Sequence, residues 1–201
     1  MIEVSQKQPP TLGVPVRALL LDAYAAPLRL AVPERSPLSE SVAVWGVATE
    51  GAIDLAMFPG AIQVSSTNPY LDITAEAAPL LLDALTAPDR PALPVEVSMN
   101  ETGNRAVSAA VDAWAMACYA GNGDVPPGCR RVTAPASTRV SGPGNYAQTQ
   151  RTLDPTALTV RVQGDVSWPV TGDGTTGSNL KLIVDGEVNL AQDPPTFTSS
   201  T

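Results

Sequence analysis

The sequence predicts an α+β fold, predominantly antiparallel β, with one main helix over about residues 104–120 and a C-terminal β-hairpin. Three observations carry this. Twenty prolines and fifteen glycines are spread along 201 residues, which interrupts the chain too often for many long helices. The short apolar runs between those breaks alternate with the period-two spacing of half-buried strands. One stretch alone switches to the spacing of a helix face.

The apolar fraction of 44% against 16% charged residues is too high for a disordered chain and sufficient for a sizeable core. Residues 1–13 form a polar, proline-rich lead-in. Residues 14–100 read as a β-rich subdomain of short strands. Within it Val42 and Val44 share one face, as do Ile53, Leu55 and Met57, and Val95, Val97 and Met99. The segment Leu19–Pro33 also matches Leu80–Pro94 at a constant offset. Duplication and chance both explain such an echo in an Ala-, Leu- and Pro-rich chain, and the mismatch before Leu19 and Leu80 favours chance.

Residues 101–192 then hold the helix, a cysteine loop and antiparallel strands. Val107, Val111, Trp114 and Cys118 fall on one helical face, with Thr102 or Asn104 as candidate N-caps and Gly121 as the residue after the end. The stretch from Arg130 to Thr156 reads as irregular. Beyond it, the even-numbered positions from Leu158 to Val170, and again from Leu180 to Leu190, are apolar but for Gly164 and Gly186. Two strands joined by the polar, Gly-rich Thr171–Asn179 make a hairpin. Centred near Thr175, it pairs Trp168 with Leu182 and Gly164 with Gly186. Facing glycines leave a notch, for which Trp114 is the first bulky candidate. Residues 193–201 read as a tail.

The only cysteines, Cys118 and Cys129, flank a Gly-Asn-Gly-Asp turn and a Pro-Pro-Gly turn. Zinc needs four ligands, a thioredoxin-like pair needs closer spacing, and a cysteine nucleophile lacks an imidazole in a chain without histidine. A structural disulfide is the reading these features support, and it favours an oxidising compartment.

The stretch "VSAAVDAWAMACYAGNGDVPPGC" resembles a motif of uncharacterised actinobacterial membrane proteins of the cell envelope. In these a helix ending near a cysteine is followed by a Pro-x-Gly-Cys turn. "AMFPGAIQVSS" and the paired "LTVRVQGDVSWPV" and "LKLIVDGEVNLA" are similar to further segments of the same group. The resemblance covers about residues 40–192. Arg130 stands where the group has proline, and Ile62 where it tends to have tyrosine. It implies an extracytoplasmic β-rich domain, secreted or membrane-anchored through a segment absent from this chain, and brings no activity, substrate or partner with it.

Several function classes are disfavoured. A net charge of −8 with no clustered basic run argues against nucleic acid and anionic membrane surfaces. No apolar run is long enough to insert into a bilayer. Without histidine the commonest general base is missing. Asp22 and Asp83, at matching places in the echo, are the one candidate carboxylate pair, and turn aspartates explain them better. The Gly-rich stretches Val140–Asn145 and Thr171–Asn179 lack phosphate-loop and calcium-loop spacing. Trp45, Trp114 and Trp168 could line a groove, but Trp114 and Trp168 sit on apolar faces that suit a core. The expectation is therefore no catalytic residues, no cofactor and no metal. It is of a non-enzymatic extracytoplasmic binding or structural domain facing a protein or envelope partner. The alternative is a virion structural protein such as a phage tail or decoration subunit; a carboxylate hydrolase ranks below both.

A disulfide-stapled fold needs no metal. Thermal melts with and without a strong chelator should therefore superimpose, and a Tm lower by several degrees in chelator would overturn the metal-free expectation.

Overall fold

The computed structural model describes residues 26–57, 62–75, 92–119, 126–129, 139–172 and 178–200. Within these the protein is β-rich, with mostly antiparallel sheets and one main helix. The lead-in, Asp22, Asp83, Gly121 and most of the Leu19–Pro33 and Leu80–Pro94 echo lie outside the described residues. None of the described helices is long and apolar enough to cross a membrane.

The first half builds three small sheets. Strand β1 (Ala26–Leu30) lies between β4 (Asp54–Met57), antiparallel, and β7 (Ala92–Leu93), parallel. The second sheet centres on β2 (Val42–Val44), flanked by β3 (Val47–Ala48) and β5 (Val64–Ser66). The third pairs β6 (Leu71–Ala75) with β8 (Val95–Met99). The chain enters β2 through a one-turn helix, α1 (Pro37–Glu40), started by a reciprocal cap between Ser36 and Ser39 with Pro37 in the first turn. Val42 and Val44 do share a face, but Ala43 is buried too, so β2 is covered on both sides. Trp45 and Gly46, both at positive φ, turn β2 into β3.

Helix α2 (Glu101–Cys118) begins three residues earlier than the spacing predicted. Its N-cap is Asn100, not Thr102 or Asn104. The Asn100 side-chain oxygen accepts from the Gly103 amide at 2.8 Å while its Nδ2 donates to the Pro69 carbonyl at 3.1 Å. The second bond comes from another part of the chain, so helical periodicity could not reveal it. Gly103 lies directly against the Tyr70 carbonyl and Met99, where a side chain has no room. The buried face is Gly103, Val107, Ala110, Val111, Ala115 and Cys118.

That face covers one side of the C-terminal sheet, ordered β10 (Asn145–Asp154), β11 (Thr159–Thr171), β12 (Asn179–Asn189), β13 (Thr196–Ser199), with β9 (Arg139–Val140) on the end of β11. The hairpin of β11 and β12 forms without reversal at Asp185-Gly186. Its register differs from the expected one by two residues: Trp168 pairs with Leu180, Gly164 with Val184, and Gly186 with Val162. A shift of two preserves every inward and outward assignment, so alternation cannot detect it. The glycines therefore do not face each other. The notch at Gly186 is filled by Phe197, whose ring a Cβ there would meet at 2.5 Å, and Trp114 stands edge-on behind Phe197 at 5.2 Å between centroids. Phe197 belongs to β13, within residues read from sequence as a tail.

Strand β10 overturns the irregular reading of its segment. Tyr146 and Ala147 together oppose Val166, a bulge that shifts the register between Asn145 and Gln148. Within it Tyr146 turns inward; after it Thr149, Arg151 and Leu153 do. The bulge reverses the parity, and two of the inward residues are polar, so no alternating apolar signal exists.

One continuous apolar cluster joins the halves. It includes Leu28, Leu30, Leu38, Val42 and Leu93 from the small sheets, Val107 and Val111 from α2, and Val160, Trp168 and Val188 from the large sheet.

Gly164 has a φ of +134°, beside the Gln148 backbone, and Gly186 is covered by Phe197. Gly164→Ala and Gly186→Ala should each cost about 2 kcal/mol or more, while Gln163→Ala on the exposed face should stay within about 0.5 kcal/mol. Denaturant midpoints at unchanged slope are the measurement; equal midpoints for the three variants would refute the packing described.

Candidate functional site

The cysteines close the corner where α2 meets the sheet. Cys118, in the last turn of the helix, is bonded to Cys129, with their Cα atoms 5.7 Å apart. The expected Pro-Pro-Gly turn is present. The Cys129 amide donates to the Pro126 carbonyl at 3.2 Å, and Gly128 takes a φ of +72°. Trp114 Nε1 donates to the Pro127 carbonyl at 3.3 Å, holding the turn against the helix. Cys118 packs with Tyr119, Val170 and Leu180 in a small apolar cluster of its own. The pair is thus placed as a staple between helix end and turn.

The most concentrated polar arrangement lies between helix and sheet. Asp112 Oδ1 accepts from Trp168 Nε1 at 2.7 Å, from the Tyr146 hydroxyl at 2.5 Å and from the Gly144 amide at 3.0 Å. The Tyr146 hydroxyl also lies 2.9 Å from the Ser108 carbonyl. Arg151 sits over the Tyr146 ring and donates to the Asn104 carbonyl and the Ser108 hydroxyl at 3.0 and 2.8 Å. Burial, then the hydrogen bond to Asp112, push the Tyr146 hydroxyl far above the ordinary phenol range. Burial lowers Arg151 from its usual value. With its indole donor satisfied, Trp168 can be fully buried. One oxygen accepting three donors docks the helix against the sheet.

A second tie links the halves. Tyr70 donates to Asp193 Oδ1 at 2.7 Å, and Asn68 Nδ2 donates to the Leu190 carbonyl at 2.8 Å. The bond to Asp193 raises the Tyr70 hydroxyl above its ordinary value.

The other side of the large sheet is open and polar. Its cross-strand rows run Asn145–Ser167–Lys181, Gln148–Asp165–Ile183, Gln150–Gln163–Asp185 and Thr152–Arg161–Glu187. Arg161 bonds Asp185 at 2.7 Å. Ile183 is 81% exposed, an isolated apolar side chain among polar neighbours. Where the bulge lifts β10 there is a recess of about 310 Å³ lined by Asn145, Ala147, Gln148, Asp165, Val166, Ser167, Asn179 and Lys181. Asn145 Oδ1 accepts from the Ala147 amide at 3.0 Å and so holds the bulge.

Of the tryptophans, Trp168 is core, Trp114 half-buried, and Trp45 exposed at its hairpin tip. They do not meet in one groove. Among the described residues no group of three or more His, Cys, Asp or Glu side chains is gathered as metal ligands would be. Asp112 and the recess were not singled out from sequence. The only hint of Asp112 was a carboxylate next to Val111 at the margin of an apolar helix face. No protein-family model matches the chain, and no curated protein or solved structure matches it.

The Tyr146 phenol ionises at higher pH folded than unfolded. Its stabilising contribution is thus complete below the unfolded value near 10 and declines as pH rises above it. Tyr146→Phe should lower stability at neutral pH and flatten the alkaline slope. Denaturant midpoints taken between neutral pH and the phenol range check this, and an unchanged alkaline slope would show that Tyr146 is not held as described.

Proposed function

We propose that this chain is a non-catalytic domain that works by binding or display outside the cytoplasm, as part of a cell-envelope protein. The bonded Cys118–Cys129 pair is the observation that carries the reading. Such bridges persist in oxidising compartments and are uncommon in reducing ones. The placement agrees with the resemblance noted in the sequence, and its partner is a protein or another envelope component.

The deployment of polar groups supports the non-catalytic part. Tyr146 and Arg151 have the burial and the shifted ionisation that active sites use, yet both, with Asp112, are engaged in holding α2 against the sheet. An open sheet face with mixed polar side chains is a surface for recognition rather than a water-excluding pocket for chemistry.

Protein exported to an oxidising compartment and purified without reductant should show no titratable thiol until it is unfolded and reduced. Cys118→Ser should then cost about 2–4 kcal/mol through lost loop closure and a polar group on a buried face. Two free thiols in exported protein, with stability matching the variant, would overturn the placement.

A further inference from the structure

We infer that the outer edge of β10, from Gln148 to Asp154, takes up an extended strand of a partner protein, added antiparallel with an acidic side chain opposite Arg151. The inference rests on the reading of the chain as a binding domain and names its partner class. β10 is an end strand of the large sheet and runs ten residues, whereas every other end strand among the described residues has two to five. The Leu190 amide bonds the Leu158 carbonyl and the Val170 amide bonds the Ser178 carbonyl, so even-numbered residues along β11 bond β12. Its odd-numbered residues therefore bond β10, where they oppose Gln148, Gln150, Thr152 and Asp154. The N–H and C=O groups of Thr149, Arg151 and Leu153 point the other way, along the outer edge. Among the described residues nothing bonds them.

That row of groups selects the occupant. Its donors and acceptors recur every second residue, about 6–7 Å apart, which is the repeat of another extended backbone. Proteins usually shorten such edges or guard them with proline or outward charge. Here the bulge and Asn145 occupy one end only, no proline lies between Asn145 and Asp154, and the one cation, Arg151, turns inward to α2. Arg151 sets the chemistry. Its guanidinium meets the Asn104 carbonyl, the Ser108 hydroxyl and the Tyr146 ring, and among the described residues no carboxylate is in ion-pair contact with it. A carboxylate at the facing position of an incoming strand supplies that contact. Two residues earlier the same strand faces half-buried Leu153 and takes an apolar side chain there. A second copy of this chain fits poorly. Centred on Arg151, it opposes two arginines. Centred one residue before or after, it sets Ala147, whose amide is already bonded to Asn145, or Pro155, which has no N–H, opposite an outward residue and cuts the ladder short.

The blocked peptide acetyl-Ser-Val-Thr-Glu-Thr-Thr-Ser-amide, with its Glu set opposite Arg151, tests this by amide hydrogen exchange on the unaltered protein. Without peptide, the Thr149, Arg151 and Leu153 amides should exchange fast, and those of Gln150 and Thr152 slowly. Peptide in excess should slow the first three at least about tenfold and leave Gln150 and Thr152 nearly unchanged. Replacing the peptide's Glu by Lys should weaken binding at least about fivefold. N-methylation of the Glu amide should abolish binding, whereas N-methylation of the preceding Thr amide, which points away from β10, should leave it in place. Every change is made in the peptide, so lost binding is not lost fold. Slow exchange at the three amides without peptide, no alternating protection with it, equal binding of the Lys peptide, or indifference to the methylated position would each overturn the inference. So would protection that rises with protein concentration alone, which would assign the edge to a second copy. Oxidised cysteines without peptide binding remove the edge as a site and leave the placement standing; free thiols with binding do the reverse.

Discussion

The C-terminal half depends on how one helix is held across one sheet, and a single carboxylate oxygen decides much of it. Asp112 accepts from an indole, a phenol and a backbone amide, each contributed by a different part of the sheet region. Apolar contact alone would let α2 slide along the alternating valines of β11 and β12, because one valine offers nearly the surface of the next. A charged acceptor inside that contact has one position where its donors are met, and leaving them unmet costs about 1–3 kcal/mol for each group. The tryptophan at the centre of the core can be buried because Asp112 satisfies it.

The bulge in β10 follows from the same requirement. For Tyr146 to reach Asp112 and for Thr149, Arg151 and Leu153 also to face the helix, the strand must change parity between them. The Thr149 hydroxyl bonds the Tyr146 carbonyl at 2.8 Å and fills the irregularity. Gly164, at a backbone angle that side chains resist, lets β11 pass close to it. The recess on the opposite side is a geometric consequence of this inward anchoring, which connects the candidate binding surface to the core beneath it.

The disulfide acts at the far end of the helix. Asn100 fixes the start of α2 against the Pro69 carbonyl, and Cys118 fixes its end to the Pro126–Cys129 turn. With both ends tied and the middle anchored, the helix forms a rigid back for the sheet.

The sequence by itself determined the local patterns. The proline and glycine frequency and the period-two runs set a β-rich fold; the Val107, Val111, Trp114, Cys118 spacing set the one long helix; even-position alternation set β11, β12 and their faces. Each is a property of neighbouring residues, and local periodicity records it. The tertiary structure decided what periodicity cannot record. A two-residue shift of the β11–β12 register leaves every face unchanged, so Trp168 meeting Leu180 was settled by packing. Strand β10 was hidden because its bulge reverses parity and its inward side chains include Thr149, which bonds the Tyr146 carbonyl, and Arg151, which is received by Asn104 and Ser108 of α2. Phe197 looked like part of a tail because the glycine it covers lies eleven residues away, on another strand. Asp112 is an ordinary charged residue along the chain; the neighbours that give it its role, Gly144, Tyr146 and Trp168, reach it only once the sheet has formed.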